Sequence, residues 1–115
     1  MTVTIFHNPN CSTSRNVLQM IRDTGVEPEV VQYLKTGWTV EGLKTLLAEA
    51  GLTPREAMRT RGELVGELGL LEDGVSDATI LAAMVAHPVL VERPIVRTPK
   101  GVVLARPKER VLEVL

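Results

Sequence analysis

Aromatic residues are almost missing: Phe6, Tyr33 and Trp38 are the whole set in 115 residues. That scarcity excludes the base-stacking surface on which single-stranded nucleic-acid binders rely. A dominant charge is missing too. Lys and Arg number 13 against 14 Asp and Glu, a formal net charge of −1, so there is no bulk electrostatic footprint for DNA, RNA or an anionic membrane. No apolar run reaches the roughly 20 residues a membrane-spanning helix needs. The opening Met-Thr-Val-Thr-Ile-Phe-His has neither the basic segment nor the long apolar core of a secretory signal. The chain has 1 cysteine and 2 histidines, which leaves no internal disulfide and no Cys/His cluster with metal-ligand spacing. These absences together lead us to expect a cytoplasmic, reducing compartment, no nucleic-acid or membrane partner and no metal; a monomer with no bound cofactor is expected beside them. What is present is ordinary: 44% hydrophobic and 23% charged residues, enough for one domain with a core of its own.

The stretch Ile5-Phe6-His7-Asn8-Pro9-Asn10-Cys11-Ser12-Thr13-Ser14-Arg15 holds the lone cysteine. The apolar Val3–Phe6 before it reads as a buried strand. The helical spacing of Val17, Leu18 and Ile21 after it reads as an amphipathic helix. Cys11 therefore falls where that helix begins, with unpaired amide N–H groups and the positive end of the dipole close by. Either a thiolate or a bound oxyanion is stabilised there. His7 and Arg15 are possible cations on either side, and such surroundings lower a thiol pKa from its ordinary value of about 8.5. A lone cysteine is more often a small buried hydrophobe. Here the neighbours are Asn10, Ser12, Thr13 and Ser14, none of them apolar, and one of the hydroxyls serves as the helix cap.

Reading onward, the first helix stops near Gly25, and Val30–Leu34 forms a second strand. A strand, helix and strand of this length make a right-handed crossover with parallel strands. The middle is helical. Thr39 caps a helix carrying Leu43, Leu46, Leu47 and Ala50 on one face. Thr53-Pro54-Arg55-Glu56 is a capping box with proline at the first turn. Leu64–Leu70, broken by glycines, is weakly helical. Ser76 or Asp77 opens a helix with Ile80, Leu81, Met84 and Val85 inward, stopped by Pro88. Two β-branched runs, Ile95–Arg97 and Val102–Leu104, flank the turn Thr98-Pro99-Lys100-Gly101. Pro107 starts a last helix with Val111, Leu112 and Leu115 inward. The order is β-α-β, a helical insert of about residues 35–91, then β-β-α, in one domain over residues 1–115. His87, at a helix end beside Pro88, is explained by a favourable dipole contact there.

His7-Asn8-Pro9-Asn10-Cys11, Thr13-Ser14-Arg15-Asn16, Tyr33-Leu34, His87-Pro88, Arg93-Pro94-Ile95-Val96 and Leu104-Ala105-Arg106-Pro107 follow one another along almost the whole chain. In that order and spacing they resemble the glutaredoxin-coupled arsenate reductase family. The resemblance implies an α/β, thioredoxin-like fold with a mixed four-stranded sheet. It also implies a reaction: a cysteine thiolate attacks arsenate, glutathione attacks the sulfur–arsenic adduct, and glutaredoxin resolves the mixed disulfide. Carried over, Cys11 is the nucleophile, His7 favours its thiolate, and the Ser14 hydroxyl hydrogen-bonds its sulfur. Arg59, Arg93 and Arg106 hold the oxyanion, with Ser12 and Thr13 in the cradle. Arg55 and Arg61 lie close enough in sequence to compete with Arg59. Pro94 resembles the cis proline that such folds place opposite the cysteine. Several arginines suit a tetrahedral dianion, because thiolate attack brings like charges together and the planar guanidinium fork matches oxyanion geometry.

Ser12 departs from the glycine usual after the cysteine, and Gly37-Trp38 replaces the usual proline pair. Two other readings follow. One is a glutathione-dependent thiol oxidoreductase of the same family acting on another substrate. The other is a redox-sensing regulator of RNA polymerase of the Spx type, whose Cys-x-x-Cys pair would need cysteine where Ser14 stands.

Overall fold

The structure, a computed structural model, describes residues 2–115. It divides into two compact units: one holds the chain through Thr36 together with Arg93–Leu115, the other is Gly37–Glu92.

The first unit is built on four strands, β1 (Thr4–Phe6), β2 (Glu29–Val31), β3 (Ile95–Thr98) and β4 (Gly101–Leu104), in the order β2-β1-β3-β4. β1 runs parallel to β2 and antiparallel to β3, and β3 is antiparallel to β4. This is the mixed sheet expected of a thioredoxin-like fold. Helix α1 (Ser12–Asp23) makes the crossover, and its inward residues Val17 and Ile21 lie one turn apart on a single face. It closes at Gly25, whose N–H donates to Arg22 O at 2.9 Å from a left-handed φ of +90° that glycine adopts without steric cost. Val17 and Ile21 meet Val3, Ile5, Val96, Val103, Ala105, Val111 and Val114 in one aliphatic core. Ile21 is completely buried there. Replacing it with alanine is expected to lower unfolding free energy by about 2–5 kcal/mol, readable as a fall in the urea midpoint; an unchanged midpoint would mean the cavity is relieved elsewhere.

Two expectations for this unit need correction. The second strand ends at Val31, not Leu34: Tyr33–Thr36 forms a short helical turn, α2. β1 offers no ladder beyond His7, whose N–H donates to Val31 O. The chain then satisfies its own groups, with Lys35 and Thr36 N–H both donating to Gln32 O. The last helix is a 3₁₀ segment, Lys108–Glu113. With three residues per turn, Val111 and Val114 eclipse each other and point inward together. Leu112, expected inside, is 61% exposed, and Leu115 is half-buried.

The second unit is helical: α3 (Val40–Glu49), α4 (Pro54–Ala57), α5 (Leu64–Glu67) and α6 (Asp77–Ala86), followed by a 3₁₀ turn at Pro88–Leu90. The caps are those the sequence calls for. Thr39 accepts from Gly42 N–H, Ser76 from Thr79 N–H, and Thr53 with Glu56 closes a reciprocal box. Each such cap is worth about 1 kcal/mol. Leu43, Leu46, Leu47, Ile80, Leu81 and Met84 are buried, whereas Val85, expected inward, is only half-buried. The Ile80–Leu81–Met84 stripe already covers the inner arc of α6. Arg55 donates to the carbonyls of Leu70, Glu72 and Val75, tying down the irregular stretch after α5. No helix among the described residues is long and apolar enough to cross a membrane.

Candidate active site

The sheet register sets up the site. Phe6 pairs with Ile95, and Ile95 with Leu104. The end of β1 that leads to Cys11 is therefore the end of the hairpin from which residue 93 and residue 106 extend. Two turns carry the chain from Phe6 to the cysteine. Asn8 O accepts from Cys11 N–H at 3.1 Å, and Asn8 Oδ1 accepts from Asn10 N–H at 2.9 Å. Cys11 ends up extended, with φ −98° and ψ 122°, as the N-cap residue of α1, and its carbonyl accepts the first helical bond from Arg15 N–H. Its thiol is free and half-exposed.

Arg106 reaches the sulfur: its Nη1 lies 3.8 Å from Cys11 Sγ and also donates to Arg93 O at 3.0 Å. Arg93 is 7% exposed. The Arg93–Pro94 bond is cis, as is Arg106–Pro107, which the sequence reading did not anticipate. Partial burial pushes the Cys11 thiol up. The Ser14 amide, the Arg93 and Arg106 guanidinium hydrogen bonds and the positive charge of Arg93 push it down and prevail, so the pKa lies below its ordinary value. The Ser14 N–H faces the sulfur without closing a capping bond of ordinary geometry. Alkylation of Cys11 by iodoacetamide should have its pH midpoint below the value of about 8.5 seen for a free cysteine. A midpoint at or above that value would refute the activation.

The Ser14 hydroxyl does something other than expected. It is fully buried, accepts from Asn8 N–H at 3.1 Å and hydrogen-bonds His7 Nδ1 at 2.6 Å. At the third helical position its side chain points back over the Cys11 loop, so it fixes that loop while its amide, not its hydroxyl, serves the sulfur. His7 is buried, and burial first, then the nearby Arg22 and Arg15 charges, hold it below the ordinary histidine value. It acts as a neutral hydrogen-bonding ring rather than as the cation considered from the sequence. The folded protein therefore binds fewer protons at His7 than the unfolded chain once pH drops below about 6.5. Stability should fall as pH falls through that value, and His7→Gln should flatten the fall in a urea-unfolding series; an unflattened series would assign the loss elsewhere.

Thr13 is half-buried, Ser12 exposed on the first turn of α1. Arg15 is exposed and donates to Pro9 O at 2.9 Å, bracing the loop. Arg59 belongs to the second unit. Its N–H donates to Leu90 O and its Nη1 lies 3.5 Å from Glu92 Oε1, a carboxylate that Arg61 also contacts at 3.3 Å. The structure thus brings Cys11, Ser14, His7, Arg93 and Arg106 together. The sequence reading missed Asn8, a buried residue whose backbone and side chain both shape the loop; the Asn-Pro-Asn turn signal was its one visible sign. No group of three or more His, Cys, Asp or Glu able to hold a metal occurs among the described residues.

A cysteine at the first strand–helix junction of a mixed four-stranded sheet, with arginines supplied by the following hairpin, defines a thioredoxin-like protein with a single thiol at the start of its first helix. The ArsC family model matches residues 6–114, and the chain belongs to the ArsC family. It is 57% identical to arsenate reductase ArsI2 of Synechocystis sp. over 98% of its length and 81% of the relative's. It is 48% identical to an arsenate reductase of Escherichia coli, over 98% of this chain and 80% of that protein. Among solved structures it superposes on an arsenate reductase from Vibrio cholerae with a TM-score of 0.95 at 45% identity, covering 100% of this chain and 98% of the other.

Proposed function

We propose that the protein is an arsenate reductase in which Cys11 is the nucleophile and glutathione and glutaredoxin are the reductants. The observation that carries the reading is Arg106 Nη1 at 3.8 Å from the Cys11 sulfur, at the start of α1. A guanidinium touching a thiolate favours ionisation and also offers donors to an oxyanion approaching that sulfur. Family membership and the arsenate reductase relatives support the choice of arsenate.

In this reading the thiolate attacks arsenic, a sulfur–arsenic bond forms and one arsenate oxygen leaves as water. Glutathione thiolate then bonds to the cysteine sulfur. The sulfur–arsenic bond breaks with its electron pair moving to arsenic, which falls from the pentavalent to the trivalent state, and the two sulfurs are oxidised to a mixed disulfide. A second glutathione, through glutaredoxin, frees Cys11 as glutathione disulfide forms. Arg93 and Arg106 offset the like-charge repulsion of the first step, and Ser12 and Thr13 line the cradle. Ser14 and His7 hold the Cys11 loop. The chain acts as one catalytic domain, a cytoplasmic monomer with no bound cofactor, in which residues 37–92 are an insert.

The test is a coupled assay with arsenate in which glutathione and glutaredoxin are omitted in turn. Turnover is expected only when both are present. Phosphate, sulfate and glutathione disulfide run beside arsenate identify a substrate other than arsenate. Turnover of one of these with none of arsenate would overturn the choice of oxyanion while keeping the thiol chemistry.

A further inference from the structure

An open cleft of about 290 Å³ lies beside the reactive sulfur, lined by Thr13, Arg106, Pro107, Lys108 and Glu109. Its size is at the lower end of small-molecule clefts, which run from about 300 Å³ upward. Two of its walls are already part of the site: Thr13 is two residues past Cys11, and Arg106 is the guanidinium that touches the sulfur. The other wall is new. Lys108 and Glu109 open the 3₁₀ segment and are exposed, and their side chains make no hydrogen bond or ion pair among the described residues. Elsewhere in the first unit Arg22 pairs with Glu27 at 2.8 Å and Arg110 with Glu113 at 3.3 Å. Lys108 and Glu109 place one cation and one anion side by side at the mouth, with a second cation, Arg106, deeper in.

We propose that this cleft binds the thiol co-substrate, as a site for a peptide thiol that carries both carboxylate and ammonium groups. This rests on the reading of the chain as a glutathione-dependent reductase. Lys108 takes a carboxylate of the peptide and Glu109 takes its α-ammonium group. The thiol then points past Thr13 toward Cys11. From there its thiolate can bond to Cys11 Sγ as the sulfur–arsenic bond breaks, with the bonding pair going to arsenic and the thiol proton to an arsenite oxygen. An acid–base pair at the mouth selects a zwitterionic thiol over a simple one, because a ligand lacking the ammonium leaves the Glu109 carboxylate without its counter-charge.

The binding step is tested without turnover. S-Methylglutathione, which cannot react, is titrated into the wild-type protein while backbone amide shifts are followed by NMR. Shifts clustered at Thr13, Arg106, Lys108 and Glu109 are expected, and weakened binding in Lys108→Ala and Glu109→Ala. Both side chains are exposed and unmatched, so these variants should unfold at the wild-type temperature. In the coupled assay, loss of one exposed charge contact should raise KM for glutathione on the order of fivefold, with KM for arsenate within about twofold. 2-Mercaptoethanol, which carries neither carboxylate nor ammonium, should show no such sensitivity to either substitution. Shifts elsewhere, or a glutathione KM unmoved by both substitutions, would overturn the proposal. Failure of the arsenate reading would look different: no arsenate turnover in wild type, with S-methylglutathione still bound in the cleft.

Discussion

Cys11→Ser should abolish arsenate turnover, leaving the coupled assay at its enzyme-free rate, while the protein keeps its fold. Both halves of that result follow from the site. The sulfur sits at the start of α1, within reach of Arg106 and beside the Ser14 amide, and its pKa is held down. A serine hydroxyl in the same place ionises so much less readily that those groups cannot make it an alkoxide near neutral pH, and oxygen cannot form the disulfide that completes reduction. The side chain is half-exposed and lies outside the buried apolar cluster, so the change in stability should stay within about 0.5 kcal/mol. Arsenite formation by the variant at a rate comparable to wild type would place the chemistry on another residue.

The second large effect is expected of Arg106→Ala, a drop in kcat/KM for arsenate of about 10²–10³. Arg106 acts twice, once on the thiolate at 3.8 Å and once by donating to the Arg93 carbonyl at 3.0 Å, which ties its guanidinium to the second arginine's backbone. Its removal takes away a donor to the charge that develops on the oxyanion and raises the pH midpoint of Cys11 alkylation. Arg106→Lys should return the midpoint toward wild type through its charge, but recover only part of the turnover, because an ammonium lacks the planar fork. A purely structural arginine would show another pattern: lower unfolding temperature with an alkylation midpoint that does not move.

Much of this arrangement is legible from residues alone. An apolar run marks β1 and period-3.6 apolar patterns mark α1 and α3, and the capping residues Thr39, Thr53 and Ser76 sit where the helices begin. The failures share a cause: each depends on something beyond the local pattern. Val30–Leu34 has the composition of a longer strand, yet its length is set by where its neighbour β1 stops offering partners. Leu112 looks apolar enough for a core, yet the tighter winding of its segment rotates it outward. His7 reads as a possible cation, yet burial and two nearby arginines keep it neutral. The division of labour in Ser14 needs three dimensions, since nothing in a sequence says which of its two polar groups faces a sulfur.

Cys11 and Arg106 are separated by 95 positions along the chain, and that distance has a consequence for biosynthesis. Closing so long a loop belongs to the slow, topology-limited part of folding. A nascent chain that has emerged only through its helical middle already carries the cysteine but not the guanidinium that activates it. The thiol would therefore stay comparatively inert during synthesis and gain its reactivity when the terminal hairpin docks, which makes acid-side alkylation a reporter of completed folding.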